Sequence, residues 1–177
     1  MPTVGLAFDF LAREWAPARA PVGSLLYVGH RGDTSPWWAT EFRAALGGPS
    51  LAVMDVMESG LASATRHTSD LIRGDVRDPR PLAGRSFGLV FWDEGPEHVP
   101  RADALACLTR LMGEHRRVLV SCPWGFQPQG RDPADPEFHH WGPAPADFES
   151  IGMSTRVFGT RFDDRGRGHG NLIAWGP

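Results

Sequence analysis

The stretch SLLYVGHRGDTSPWW, residues 24–38, raises the question that decides the fold. Its apolar run ends at Gly29, a pattern typical of a buried strand followed by a tight turn. Phosphate- and nucleotide-binding loops often begin at such a strand end. This loop, however, carries His30, Arg31 and Asp33, where a nucleotide-binding loop usually has small side chains. The stretch is therefore a working cofactor loop, an altered one, or only a turn.

Further short apolar runs predict more buried strands along the chain. They are SLAVMD (50–55), DLIRGD (70–75), RSFGLVFWD (85–93), RRVLVSCPWG (116–125), MSTRVFGTRF (153–162) and GNLIAWG (170–176). Helical patterns lie between them, at 8–16, 35–46, 56–67, 101–112 and 145–152. Alternation of strands and helices predicts an α/β fold, in which helices cover a mostly parallel sheet. The last two strands then close the sheet as a pair.

Length and composition predict one domain that spans residues 1–177. The hydrophobic fraction of 41% and the charged fraction of 22% are ordinary for a soluble globular protein. Residues 1–22 are interpreted as an N-terminal helix and linker. The proline-rich segment 126–142 is interpreted as a long loop, and such a loop in a compact domain is more often functional than idle.

The charge and the apolar pattern argue against several kinds of partner. The net charge is −3, so nucleic acid is not expected to bind. No apolar run approaches the roughly 20 residues of a membrane span, and no signal peptide is predicted. Only two cysteines are present, which favours a reducing cytoplasm over a disulfide scaffold. All 18 basic residues are arginine, so lysine-based catalysis is excluded.

Two carboxylates follow the glycine turn at the ends of neighbouring strands. Asp55 is placed to accept hydrogen bonds from ribose hydroxyls. Asp75, at the end of the next strand, is placed to accept from an adenine amino group. Either aspartate alone also fits a turn or a helix cap. Both together, after a glycine turn, favour a nucleoside ligand.

The chain resembles the class I S-adenosylmethionine-dependent methyltransferases of the small "type 11" kind. The matching pieces occur in the order of that family and cover nearly the whole chain after residue 22. They are LLYVGHRG, LAVMDVMES, LIRGDVRD, FGLVFWDEGPEHVPR, RRVLVSCPWG and HHWGPAPADFESIG. The resemblance implies a Rossmann-like seven-stranded, mostly parallel sheet with helices on both faces and the last strand antiparallel. It also implies S-adenosylmethionine as the cofactor.

The resemblance assigns a set of cofactor-binding residues. The methionine part of the cofactor would approach the 29–32 loop, the ribose would meet the end of the second strand, and the adenine would meet the end of the third. Trp92, at the end of the fourth strand, would face the transferable methyl group or the substrate. The full set is Gly29, His30, Gly32, Asp55, Val56, Asp75, Val76 and Trp92.

The opening loop departs from the family pattern, which reads acid-x-Gly-x-Gly-x-Gly. Tyr27 stands at the acidic position, and Arg31 and Asp33 stand at the second and third glycines. Three interpretations remain open. In the first, Asp33 or Asp93 supplies the negative charge for the cofactor's ammonium group. In the second, cofactor binding is weak or lost. In the third, Arg31 pairs with the cofactor's carboxylate rather than pointing to solvent.

Candidate catalytic residues are His98, Asp93 and His140. Methyl transfer needs an aligned nucleophile and a base that takes its proton, and an imidazole titrates near neutral pH. His98 lies just past the fourth strand, and its alternative role is to start a helix or to pack. His139 and His140 lie in the 126–142 loop, where a histidine pair is a base, a ligand, or plain surface polarity.

A metal site is considered and not predicted. The segment EGPEH (94–98) resembles a Glu…Glu-His cluster that holds a divalent metal in some quinone-pathway O-methyltransferases. Gly95 and Pro96 interrupt the spacing here, and the segment shows no fourth ligand.

The sequence therefore favours methyl transfer to an oxygen or nitrogen of a small molecule, such as a sugar or a secondary metabolite. The alternative is a catalytically inactive, methyltransferase-like binding subunit. A nucleotide-binding oxidoreductase matches less well, because neither the glycine spacing nor the later segments fit it. The core is minimal, so the pocket must be closed by the N-terminal helix, by the 126–142 loop or by a second subunit, which would make the protein a homodimer.

Overall fold

The computed structural model describes residues 3–29, 41–162 and 168–177. The helices are α1 (Thr3–Phe10), α2 (Arg43–Ala45), α3 (Glu58–Ala64), α4 (Arg101–Glu114) and α5 (Pro145–Glu149). The strands are β1 (Ser24–Val28), β2 (Ser50–Asp55), β3 (Asp70–Arg73), β4 (Leu89–Asp93), β5 (Val118–Trp124), β6 (Ser154–Phe162) and β7 (Gly168–Gly176). A π-helical turn (Leu11–Trp15) extends α1, and 3-10 turns occupy Pro17–Arg19, Arg80–Leu82 and Pro96–His98.

All seven strands form one sheet, in the order β3-β2-β1-β4-β5-β7-β6. Strands β1 to β5 pair in parallel, and β7 runs antiparallel to both β5 and β6. The predicted Rossmann-like sheet, with its last strand antiparallel, is therefore confirmed. The strand order reverses between β1 and β4, and ligands of such sheets bind at that point, beyond the carboxyl ends of the strands.

Two apolar cores lie on the two faces of the sheet, because side chains alternate along each strand. Leu26 and Val28 of β1 join the core with Leu108 of α4 and Phe148 of α5. Leu25 and Tyr27 of β1 belong to the opposite core. That core also takes in residues of α1 and α3 and the flanks of α2: Ala7, Phe10, Phe42, Leu46, Leu61 and Ala64.

Some predicted element boundaries differ from the structure. The predicted strand 85–93 begins only at Leu89; before it, the N–H groups of Phe87 and Gly88 donate to side chains, to His115 Nδ1 at 3.4 Å and to Ser24 Oγ at 3.0 Å. The predicted helix 35–46 lies partly outside the described residues, and its described end is the short α2. Strand β7 starts at Gly168, earlier than predicted, while 163–167 of the preceding turn lies outside the described residues.

The N-terminal helix packs at the far edge of the sheet. The ring of Phe10 lies 5.3 Å from that of Phe158 in β6 and 5.7 Å from that of Trp175 in β7, centroid to centroid. The guanidinium of Arg156 lies over the Phe10 ring at 4.5 Å. Among the described helices, none is both long enough and apolar enough to cross a membrane.

Candidate functional site

A cavity of about 580 Å³ opens at the carboxyl ends of β1, β2, β3 and β4, on both sides of the point where the strand order reverses. This volume lies within the range of small-molecule and cofactor pockets. Its wall includes all the predicted cofactor residues that the structure describes: Gly29, Asp55, Val56, Asp75, Val76 and Trp92. The parallel sheet brings these residues together, because it gathers the carboxyl ends of its strands at one edge.

Gly29 forms the sharp turn after β1. Its N–H donates to the carbonyl of Met54 at 3.1 Å, which joins the turn to the end of β2. The backbone φ is +84°, and a Cβ added there would lie 2.8 Å from the carbonyl oxygen of Asp93. Only glycine fits this position without strain. The predicted loop residues His30 and Gly32, together with Arg31 and Asp33, fall on 30–40, outside the described residues.

Asp55 lies at the cavity end of β2 and is only 8% exposed. Its Oδ1 accepts a hydrogen bond from the Met57 N–H at 2.7 Å, a local turn that fixes the carboxylate. The next two side chains, Val56 and Met57, are 47% and 37% exposed and also line the cavity. A carboxylate beside exposed apolar side chains can accept hydrogen bonds from sugar hydroxyls while the apolar side chains contact a flat ring attached to the sugar.

Asp75 reaches the same cavity, but Arg77 engages its carboxylate. Arg77 Nε lies 3.0 Å from Oδ1 and 2.9 Å from Oδ2, and the Arg77 backbone N–H donates to Oδ1 at 2.9 Å. Partial burial works to raise the pKa of Asp75, but the hydrogen bonds from Arg77 outweigh it and lower that pKa below its ordinary value. The adenine contact predicted for Asp75 stays a prediction, and Arg77 is a wall residue that the sequence reading missed.

The residue at the acidic position of the family motif, Tyr27, is paired with an acid. Its hydroxyl donates to Asp93 Oδ2 at 2.6 Å. The two residues lie on neighbouring parallel strands, β1 and β4, and their side chains share one face of the sheet. Burial, followed by the charge of Asp93, raises the pKa of Tyr27 well above its ordinary value of 10.0. The phenol therefore stays protonated and donates to the carboxylate.

We expect the alkaline titration of Tyr27 to occur only when the protein unfolds. Above about pH 10 an unfolded chain releases the phenol proton that the folded chain keeps. The free energy of unfolding therefore falls as pH rises, by up to about 1.4 kcal/mol per pH unit from this group. Because Tyr27 is the only tyrosine in the chain, phenolate absorbance reports on it alone.

The measurement compares phenolate absorbance with circular dichroism from neutral to strongly alkaline pH. Tyr27→Phe should show no phenolate signal and a shallower loss of stability. Some loss should remain, because burial also raises the pKa of Cys107, to about 11, and that of Cys122. Phenolate that appears near pH 10 in the folded protein would contradict the raised pKa.

Trp92 forms part of the cavity wall with its indole against Gly95. A Cβ at Gly95 would fall 1.8 Å from Trp92 Nε1, so glycine is what allows the indole to lie there. Between them, Glu94 has a left-handed backbone with φ of 46°, and its N–H donates to the Ser121 carbonyl at 2.7 Å. Strained non-glycine residues of this kind concentrate at functional sites.

The predicted catalytic residues lie in different places. His98 lines the cavity, whereas Asp93 lies next to the cavity wall and bonds to Tyr27. His140 is not among the lining residues, and its ring packs on Phe138 at 5.0 Å. The ring that approaches His98 belongs instead to His139, with centroids 4.6 Å apart. A catalytic role for His140 stays a prediction, and the position of its ring outside the cavity wall does not favour it.

The 126–142 loop supplies one wall of the cavity through residues 133–137, whereas no described residue of α1 lines the cavity. Two bonds tie the loop to the Pro96–His98 turn. The His140 N–H donates to the Glu97 carbonyl at 2.8 Å, and Trp141 Nε1 donates to the Pro96 carbonyl at 2.9 Å. We name residues 133–137 the lid, since they cover the cavity.

The sequence analysis named the 126–142 loop as one of three candidates to close the pocket, but it did not identify the lid residues within the loop, and it missed Met57, Ser59 and Gly60 as parts of the wall. The sequence could have indicated Met57, Ser59 and Gly60, because they lie within five residues of the end of β2. The lid had a weaker signal, since its proline-rich composition indicated a loop without saying which part covers the site.

Solved structures with this fold include several methyltransferases. An O-methyltransferase family protein from Burkholderia thailandensis matches 96% of this chain with a TM-score of 0.60 and 12% identity, and this chain spans 55% of its length. Magnesium protoporphyrin IX methyltransferase (ChlM) from Synechocystis PCC 6803, with bound SAH, matches 98% of this chain over 83% of its own, at TM-score 0.56 and 16% identity. The DhpI–SAH complex matches 97% over 85%, at TM-score 0.59 and 17% identity.

These similarities establish the fold, which this chain shares with those methyltransferases. No protein-family model matches the sequence, and no curated protein matches it significantly.

Proposed function

We propose that this protein is an S-adenosylmethionine-dependent methyltransferase that acts on an oxygen or nitrogen of a small molecule, such as a sugar or a secondary metabolite. One observation carries most of the proposal. The buried carboxylate of Asp55 stands at the end of β2, next to the Gly29 turn, at the edge of a cavity at the point where the strand order reverses. Solved structures of the same fold hold SAH or SAM.

In the proposed complex, each part of the cofactor meets a different strand end. The ribose hydroxyls donate to Asp55, and the adenine lies between Val56 and Val76. The methionine part lies along the Gly29 turn. Tyr27 and Asp93 together take the place of the single acid of the family motif. Their hydrogen-bonded pair, of which Tyr27 is buried and Asp93 half-buried, would lie beside the cofactor's ammonium group.

Methyl transfer depends more on the alignment of the acceptor with the methyl group than on catalytic side chains. The acceptor's oxygen or nitrogen attacks the methyl carbon, the carbon–sulfur bond breaks as the new bond forms, and S-adenosylhomocysteine leaves. The proton of the acceptor passes to a base, and we propose His98, which borders the cavity with 12% of its side chain exposed. Enclosure by Trp92 and the lid would hold the reactants in line and limit water.

The size of the cavity supports a small acceptor. The lid is a short loop segment rather than an added domain, so the space left beyond a bound nucleoside is modest. The two cysteines are unpaired and buried, which suits a reducing compartment. A cytoplasmic location is therefore part of the proposal.

A second candidate is an inactive binding subunit. It is favoured by the residue at the acidic position of the family motif. Tyr27, which is bulky and neutral, stands there and donates a hydrogen bond to Asp93. If this pair blocks the ammonium site, the cavity would no longer bind the cofactor.

Calorimetric titration with S-adenosylmethionine, S-adenosylhomocysteine and NADH separates the candidates. We expect both sulfur compounds to bind at one site per chain and NADH to give no heat. The enzyme proposal fails if neither sulfur compound gives heat at high protein concentration, which is the result expected for the inactive subunit. Binding of NADH alone would favour the oxidoreductase alternative.

A further inference from the structure

We infer that Glu97, His98 and His139 form a binding site for a divalent transition metal ion at the edge of the cavity, with Zn²⁺ the best-suited ion. One ligand atom from each of these residues lies within 4.8 Å of the others. The inference does not depend on methyl transfer, since metal binding is measurable on the protein alone. It also differs from the set considered in the sequence, because Glu94 is not a member and a loop histidine takes its place.

The separations of the ligand atoms are close to those that a metal requires. Ligands of a four-coordinate Zn²⁺ at about 2.0–2.1 Å stand about 3.4 Å apart. His98 Nε2 and Glu97 Oε1 are already 3.8 Å apart. The His98 and His139 rings lie edge to face at 78° with their centroids 4.6 Å apart. The ligand atoms of all three residues lie within 4.8 Å of one another, so side-chain movements on the order of 1 Å would bring them to the separation about a Zn²⁺ ion.

The second ring nitrogen of His139 is held as a metal-bound histidine requires. His139 Nδ1 lies 2.6 Å from the carbonyl oxygen of Gln127. A carbonyl only accepts, so Nδ1 carries a proton, and in the neutral ring Nε2 then has the free lone pair. Metal-binding histidines characteristically donate their other N–H to a carbonyl or a carboxylate, which fixes both tautomer and orientation.

The electrostatics of the cluster favour a cation. Glu97 is 1% exposed and His139 is 6% exposed, and burying a carboxylate away from water is costly unless a positive charge compensates it. A divalent ion bound beside Glu97 would supply that positive charge.

The choice of metal follows from the ligand types. Two imidazoles and one carboxylate suit Zn²⁺ and other first-row transition ions better than Mg²⁺ or Ca²⁺, which prefer oxygen ligands. Catalytic zinc sites commonly use three protein ligands and leave one position for water or substrate. Because His98 also lines the cavity, that position would face the cavity. His98 would then hold the ion in the metal-bound protein instead of acting as the base, a role left to it only in the metal-free protein.

A metal at this site would also join two segments that are far apart in the chain. Glu97 and His98 belong to the Pro96–His98 turn, whereas His139 belongs to the loop that continues from the lid. Two hydrogen bonds already join these segments. A metal bound to both would clamp the lid over the cavity.

The test uses the whole protein, stripped with a chelator and then titrated with ZnCl₂ by calorimetry and with CoCl₂ by visible absorption. We expect one ion per chain, a Co²⁺ spectrum of low coordination number, and a melting temperature that rises with Zn²⁺. His139→Ala and Glu97→Gln should each weaken Zn²⁺ binding by about 100-fold or more, beyond the effect usual for outer-shell changes.

The matched control is His140→Ala, which removes the adjacent histidine without touching the cluster and should leave Zn²⁺ affinity unchanged. Circular dichroism of each metal-free variant checks folding, and His98→Gln serves as a further variant because His98 is the most exposed member. The inference is overturned if the wild-type protein binds no ion. It is equally overturned if the ligand variants bind Zn²⁺ as tightly as His140→Ala does, since the cluster would then only join the loop to the turn.

Discussion

Replacing Asp55 by alanine is expected to weaken S-adenosylmethionine binding by about 100-fold or more. In the proposed complex the carboxylate accepts hydrogen bonds from two ribose hydroxyls. Hydrogen bonds to a charged group are each worth about 1.5–3 kcal/mol, so losing two costs about 3–6 kcal/mol, and 1.4 kcal/mol corresponds to a tenfold change in affinity. Calorimetric titration of the variant measures the loss directly.

Two further variants separate lost binding from lost structure. Asp55→Asn keeps an oxygen for the Met57 N–H, which Oδ1 of Asp55 now accepts at 2.7 Å, so it should fold normally and show a smaller loss. Asp70→Ala removes an exposed aspartate from the start of β3, at the opposite edge of the sheet, and should bind the cofactor like the unmodified protein. Unchanged affinity in folded Asp55→Ala would rule out the ribose assignment.

Replacing Gly95 by alanine is expected to destabilise the protein and to weaken cofactor binding together. The new Cβ would lie 1.8 Å from Nε1 and 2.4 Å from Cδ1 of Trp92. Because Trp92 is only 3% exposed, its indole has to move into the cavity. Forcing extra atoms into a packed site typically costs about 1–3 kcal/mol. The φ of Gly95 is −137°, which lies outside the left-handed region, so the expected effect is steric.

Gly113→Ala is the matched control with the opposite sign. Gly113 lies on the exposed side of α4, and a Cβ there would meet nothing within 4 Å. Alanine in a helix is favoured over glycine by about 1 kcal/mol, so this variant should be more stable. Urea unfolding followed by tryptophan fluorescence, with calorimetry for the cofactor, measures both variants. Equal effects of the two substitutions would show that the cavity does not require the indole against Gly95.

The contacts at the site depend on how distant segments meet. His98 and His139 lie far apart in the chain, and their rings meet because the loop bonds back to the Pro96–His98 turn. Tyr27 and Asp93 likewise pair across neighbouring strands. Asp75 was predicted to offer its carboxylate to a ligand, yet Arg77 engages it. Local sequence patterns do not predict such pairings, because the partners are far apart in the chain and meet only through tertiary packing.

The order of apolar runs and helical patterns by itself determined the architecture. Buried strands joined by helices leave a parallel sheet as the stable arrangement, and this places Gly29, Asp55, Asp75 and Trp92 at one edge. Only the tertiary structure decided which of these groups face the cavity, which are engaged by other side chains, and which part of the 126–142 loop forms the lid. The physical reason is range: periodic burial is encoded within a few residues, whereas a site is assembled from side chains that are neighbours only after the sheet and its loops have packed.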